Sequence, residues 1–476
     1  MRAAIRVLFV GLVGVALSSR CADDGGPSHP EPPFCDAAAL TAALAAAVPG
    51  DIVSMGACTL TGSFTVPAGV TLRGQGRDAS ILVSAGDPPV VRVAPGATPG
   101  RLEDVRVRSS GHTGVLLLKG PGAVEVTGVT VEATRGMALA GEEIDSVVLT
   151  DVELIGPVTP ENVRTIPPLA TASDTATHGL ILIRVPAVRL TDVTATGFAR
   201  FGALLVSCRT VWTRGGAVGN RGTGLMVYAG SAVIHSLDLS GSLGDSTLIP
   251  AYGGVFTAGA AIDTTDLVAS GGANFGLVHD NATARHVGLT ANDNREAGVW
   301  VQSCPSFELH RAELLRNGLA GLLLVDTGDT LLENVRVDET RLLPTVFGET
   351  GRVDVGAGIE IIRPRGTVTV VGSELHSNEQ VGLLVQLDAS ATMGGISFAD
   401  VAVSGSGLQY GAVAQGGLVV AGWDAGIARD AVTSANDTAR TAALDRAGSL
   451  DAGDMPAVDA VVDLGLIGLI DPDPPF

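Results

Sequence analysis

The sequence predicts an all-β chain wound into a parallel solenoid of about 12 coils. Three observations carry this. A strand pattern of the form x-Val-x-Val returns along the chain, mostly every 20 to 25 residues. A second strand, opened by glycine, follows the first after a polar turn. The apolar mass is Ala, Val, Leu and Ile, because hydrophobic residues make up 46% of the chain and aromatics only 4%. That much buriable surface argues against disorder. The 63 glycines have no strict three-residue period, which excludes collagen.

The first-strand series runs Val105, Val129, Val152, Val193, a weaker match at Gly215, then Leu237, Leu267, Val287, Ala312, Val335, Ser373 and Val401. The second strands open at Gly179, Gly202, Gly224, Gly276, Gly298, Gly321 and Gly382. Strands this short cannot bury a face alone, so each pairs with its copy one coil away. A β-sandwich gives no reason for a recurring spacing of about 22 residues. Asn220, Asn294, Asn317 and Asn378 stand four residues ahead of a strand-opening Gly. Asn tolerates the left-handed backbone of a tight corner and also hydrogen-bonds nearby backbone groups. Cys208 and Cys304 end strands four coils apart, about 19 Å. A disulfide needs Cα atoms within about 7 Å, so both are expected free and buried.

The segment from Leu40 to Gly76 contains an Ala/Leu run, Pro49-Gly50-Asp51 and Val70-Thr-Leu-Arg-Gly-Gln-Gly76. It resembles the opening of pectin-lyase-like proteins. The resemblance covers about residues 36–422 and implies a single-stranded right-handed parallel β-helix with an N-terminal capping helix. It leaves activity open, since lyases, hydrolases, epimerases and non-enzymatic surface proteins share that fold.

The remaining organisation follows from composition. Residues 1–20 read as a signal peptide: Arg2 and Arg6, an apolar run from Val7 to Leu17, then Ser18-Ser19. The run is too short to span a bilayer. Leu17-Ser18-Ser19-Arg20-Cys21 also resembles a bacterial lipobox, which would make Cys21 a lipidation site; Arg20 departs from the small residue wanted there. Residues 21–34 read as an acidic Pro/Gly tether, 35–72 as the cap and first strands, 73–422 as the β-helix, and 423–476 as a C-terminal cap or packed-back tail. In an exported protein Cys35 and Cys58 are expected to bridge, closing a 23-residue separation worth about 3 kcal/mol in the chain-entropy model. The expected location is secreted or attached to the cell envelope, with membrane contact only through a lipid anchor.

Net charge is −20 and Lys119 is the only lysine. Such a surface repels nucleic acid and anionic lipid. The expected partner is a glycan or another envelope component. The histidines have no metal-ligand spacing, so no metal or cofactor is expected; calcium enters only with a polysaccharide-lyase reading.

Three insertions break the period: Gly156 to His178, Gly241 to Gly253, and Asp338 to Ala357. They leave one edge of the coil, with a floor of short turns between the second and third. Those turns offer Asp293, Arg295, Glu296 and Arg316 as weak catalytic candidates on residue type alone. Charged corners that merely keep the surface soluble are the competing explanation. Asp104, Asp151, Asp192, Asp266 and Asp400 precede the Val strand and read as a corner habit rather than a calcium ladder.

The middle residue of the Gly-led strand should point outward. It reads Ile181, Leu204, Met226, Phe256, Val278, Trp300, Leu323, Glu360 and Leu384. An apolar stripe of that length is either covered by the chain's own insertions or tail, or is a binding surface in which Phe256 and Trp300 are the principal residues. With no recognisable catalytic set, the first functional expectation is an exported, non-catalytic β-helix that presents loops to a partner. The alternative is a polysaccharide-active lyase or glycoside hydrolase.

Overall fold

The computed structural model describes residues 33–84, 86–157, 176–242, 253–347, 351–386, 395–405, 410–415 and 427–429. Their strands form an all-β parallel solenoid of about 12 turns. Most strands fall into two long sheets of 17 and 15 strands, with a shorter 5-stranded sheet beside them. Apart from Leu343–Phe347, the strands hydrogen-bond in parallel to their counterparts one coil away, as Leu277–Asp280 does to Val299–Gln302.

The cap is the helix Ala37–Ala46. The Asp36 carboxylate accepts from the Ala39 N–H at 2.8 Å, satisfying an orphan donor of the first turn. Leu40 and Leu44 are buried against the first coil, closing the open apolar end of the solenoid. Cys35 and Cys58 are bridged beside the helix. Cys208 and Cys304 are free and buried, as expected.

One coil shows how the sequence bends. Leu277–Asp280 lies in the 15-stranded sheet, Asn281 turns at φ 46°, and Thr283–Val287 lies in the 17-stranded sheet. Gly288 then turns at φ 72° and Asp293 at φ 56° before the next Gly-led strand. Left-handed residues therefore stack in columns along the corners. Asp104, Asp151, Asp192, Asp266 and Asp400 all sit in one such column at φ 53–55°, which explains the corner habit without calcium. Short polar side chains pay the least strain there.

The register corrects one reading. Gly288 holds the corner position that Asp266 holds one coil earlier, so Leu289 is the true successor of Leu267. Val287 lies on the preceding strand and pairs with His310. The spacing thus stays at 22 residues instead of shrinking to 20.

The core fills the lumen. Positions one and three after the strand-opening glycine point inward: Leu180 and Leu182, Leu225 and Val227, Val299 and Val301, Leu322 and Leu324 are all fully buried. Coil-on-coil stacking makes one continuous apolar column of the kind that stabilises repeat proteins. The third insertion contains the antiparallel pair Leu343–Phe347 with the start of Gly351–Ile362. Most of the other two insertions (158–175 and 243–252), the expected signal peptide and most of the expected tether (1–32, with Cys21), and nearly all of 423–476 lie outside the described residues. No described helix is long and apolar enough to cross a membrane.

Candidate functional site

The floor turns lie at the corner leading into the Gly-led sheet, where the sequence put them. Asp293 and Arg316 occupy the same left-handed position one coil apart. Arg316 donates Nε to Oδ1 at 2.9 Å and Nη2 to Oδ2 at 2.6 Å, and Arg341 approaches Asp293 at 3.5 Å. The hydrogen bond from Arg316 holds the Asp293 carboxyl below its ordinary value, and the same bond raises the Arg316 guanidinium. Arg214 clamps Asp192 in the same two-point way at another corner. A carboxylate held ionised by two guanidiniums is a poor proton donor, and a repeated geometry marks a structural device. Glu296 differs: partial burial raises its carboxyl, and Arg295 opposes that. Arg295 itself is exposed.

The asparagines hydrogen-bond backbone groups as expected, but they do not themselves hold the left-handed corner. The left-handed residue is the one before each: Gly219, Asp293, Arg316 and Ser377. The Asn side chains turn inward and are buried. Asn317 Oδ1 accepts from the Asn294 backbone N–H and from its side-chain amide, both at 3.0 Å, and Asn317 Nδ2 donates to Ala291 O at 2.8 Å. Asn294 Oδ1 in turn accepts from Gly272 N–H at 2.9 Å. The result is an amide ladder between coils that satisfies corner backbone groups.

The outward column is also in register, residue for residue, from Ile181 to Leu384. It is not an open surface. Trp300 is 2% exposed, Phe256 5% and Leu384 0%. Phe275, from a floor turn, packs on Trp300 with ring centroids 5.0 Å apart. The expected binding residues Phe256 and Trp300 are therefore covered rings, which corrects their reading as an accessible site. Glu360 sits in the same column, and burial pushes its carboxyl up to about 7.

The open face of the 17-stranded sheet carries a group that the sequence reading missed. On the strand Ser306–His310, Glu308 and His310 face the same way, two residues apart. Glu333 is the register partner of His310 one coil on. His310 Nδ1 lies 2.8 Å from a Glu333 carboxylate oxygen, and Nε2 lies 3.3 Å from Glu308 Oε2. Arg285 Nε approaches the same Glu308 oxygen at 3.3 Å, and Arg285 also reaches Asp263 at 3.3 Å. The imidazole is held at 16% side-chain exposure while both carboxylates stay between 42% and 48% exposed. The ring thus bridges two carboxylates carried by adjacent coils. An imidazole fixed by a carboxylate on one nitrogen is the usual arrangement for directed proton transfer. A register-based alignment of outward positions would have found it, because Glu308 and His310 lie at i and i+2 and Glu333 lies 23 residues beyond His310. Among the described residues no cluster of three or more His, Cys, Asp or Glu side chains has metal-binding geometry. The two ring nitrogens point at different carboxylates rather than at a common centre.

The chain matches no protein-family model and no curated protein. Among solved structures it is similar to the A-module of the mannuronan C-5 epimerase AlgE4 of Azotobacter vinelandii, at 13% identity, 80% of this chain and 94% of that one, with a TM-score of 0.40. The periplasmic alginate epimerase AlgG follows at 12% identity, 80% and 83% coverage and 0.38. The catalytic domain of a GH87 alpha-1,3-glucanase stands at 10%, 80% and 64% coverage, and 0.33. At such identities and TM-scores the likeness carries nothing about reaction or substrate.

Proposed function

We propose that this is an exported β-helix that acts on a polysaccharide at the open face of its 17-stranded sheet. Glu308, His310 and Glu333 serve as its proton-transfer group. The observation that carries this reading is the single imidazole held between two carboxylates on an exposed, rigid sheet. Strand-borne side chains are positioned more firmly than loop side chains, as proton transfer requires. Glu333 orients the ring through Nδ1. Glu308, shared with Arg285, is the second carboxylate beside the reacting bond. The disulfide near the cap supports passage through an oxidising compartment, and the lipobox-like Cys21 is the proposed anchor to the envelope.

A second reading is a non-catalytic β-helix that presents its loops to a glycan or envelope partner. It is favoured by the Arg clamp on Asp293, which commits a floor-turn carboxylate to structure. Incubation with a panel of uronate and neutral glycans, followed by chain-length analysis of the products, separates the two. The enzymatic reading expects turnover that Glu308→Gln and Glu333→Gln each abolish with the fold intact. No turnover on any glycan leaves the presenting role, and turnover that both variants retain removes the reaction from the open face.

A further inference from the structure

Among the described residues, two histidines meet inside the largely apolar lumen of this solenoid. His279 and His286 are fully buried, and their Nε2 atoms are 2.9 Å apart. His279 Nδ1 is 2.6 Å from Thr257 Oγ1, and His286 Nδ1 is 2.7 Å from Thr264 Oγ1. Thr257 and His279 are register partners in the 15-stranded sheet. Thr264 and His286 are register partners in the 17-stranded sheet. The chain Thr257–His279–His286–Thr264 therefore crosses the lumen and joins the two sheets by side-chain hydrogen bonds.

We infer that the His279–His286 hydrogen bond is a cross-brace between the two long sheets, released by acid. Its protons can be counted. Three hydrogen bonds link four side chains, and each needs one hydrogen. Two neutral imidazoles and two hydroxyls supply them: one threonine donates to an Nδ1, that ring's Nε2–H donates to the other Nε2, and the second ring's Nδ1–H donates to the other threonine. One added proton must sit as a buried charge. A second puts two N–H groups face to face and breaks the bond.

No charged group compensates. Inside the lumen the rings meet Phe307, with centroids 6.0 and 5.9 Å away. The Cys304 thiol donates to His279 O at 3.5 Å and is neutral, since burial pushes it up to about 12. Asp280 and Arg285, the charged neighbours of each ring along its strand, alternate to the outer faces. Burial accordingly lowers His279 to about 3, and lowers His286 well below its ordinary value, with His279 adding to the effect.

The brace lies beneath both surfaces described above. His279 follows Val278 of the covered column, which pairs with Trp300. His286 precedes Val287, the register partner of His310. Acid release would therefore loosen the covered face and the open face together, at the middle of the solenoid and not at its ends.

The sign is fixed by the direction of the shifts. Both rings have depressed folded values, so the stability they contribute is full above 6.5 and is lost as pH falls toward 3. With two groups, the unfolding constant should rise up to about a hundredfold per pH unit inside that window. The test is denaturant unfolding of the full chain between pH 7 and pH 4.5, beside the double variant His279→Leu/His286→Leu. His178, whose value burial also lowers, stays in both proteins and cancels in the comparison. A clearly flatter pH dependence in the variant supports the brace; an equal dependence overturns it. If the variant does not fold, hydrogen exchange on the wild type at pH 5 decides. Protection lost first in residues 255–287 supports the brace, and protection lost first elsewhere or evenly along the solenoid overturns it.

Discussion

Arg316 grips the carboxylate of Asp293 at two points, one coil beyond it, from the same left-handed corner position. Arginine has no conformational reason to occupy that region, whereas aspartate is tolerated there. The ion pair offsets part of the strain and ties two corners together. Because both side chains are more than a third exposed, the pair is worth little on its own and is screened by salt. Asp293→Asn should therefore leave glycan turnover unchanged and lower stability only slightly. Asp293 has a depressed folded value, so its contribution is present above 3.8 and lost as pH falls through the folded value. A thermal melt at pH 7 and at pH 3 checks this. A large loss of turnover in Asp293→Asn would restore the floor turns as the active site.

Asn317→Ala should cost more. It leaves the Asn294 backbone N–H without its acceptor and the Ala291 carbonyl without its donor, both at a buried corner. The expected loss is about 1–3 kcal/mol in a urea unfolding series. Asn317→Asp should be worse, because it adds a charge at a position with 0% exposure.

The cysteines should divide cleanly. With a thiol-reactive probe under native conditions, Cys35 and Cys58 stay silent until reduction. Cys208 and Cys304 stay silent until unfolding, since burial raises them to about 11 and about 12. Reduction of the bridge should cost about 2–5 kcal/mol. Native-state labelling of Cys35 and Cys58 without reductant would contradict the bridge.

Trp300 should be shielded. In a Trp212→Phe/Trp423→Phe background its emission should resist acrylamide quenching in the native protein and become quenchable on unfolding. Ready quenching of the native form would mean that the outward column is open and available to a partner.

How much of this was legible depended on what repeats. The period, the inward pair after each glycine, the outward column and the free Cys208 and Cys304 all follow from spacing, and the structure places them as read. Val287 was misassigned because it matches the Val-x-Val pattern better than Leu289 does; only the left-handed Gly288 reveals the register. The asparagine ladder was half legible: position is visible in sequence, but whether the amide or its backbone does the work depends on φ at the preceding residue. The Glu308–His310–Glu333 group was overlooked because its members face away from the core, where a repeat imposes no pattern. They become neighbours only when one coil is laid on the next.

The most direct measurement is turnover of the glycan selected from the panel by wild type and by His310→Gln. Loss of an imidazole that transfers a proton should lower kcat by about 100- to 10,000-fold, with KM little changed and the melting temperature retained. A His310→Gln protein that turns over the same glycan at the wild-type rate would contradict the assignment of the open face as the reacting surface.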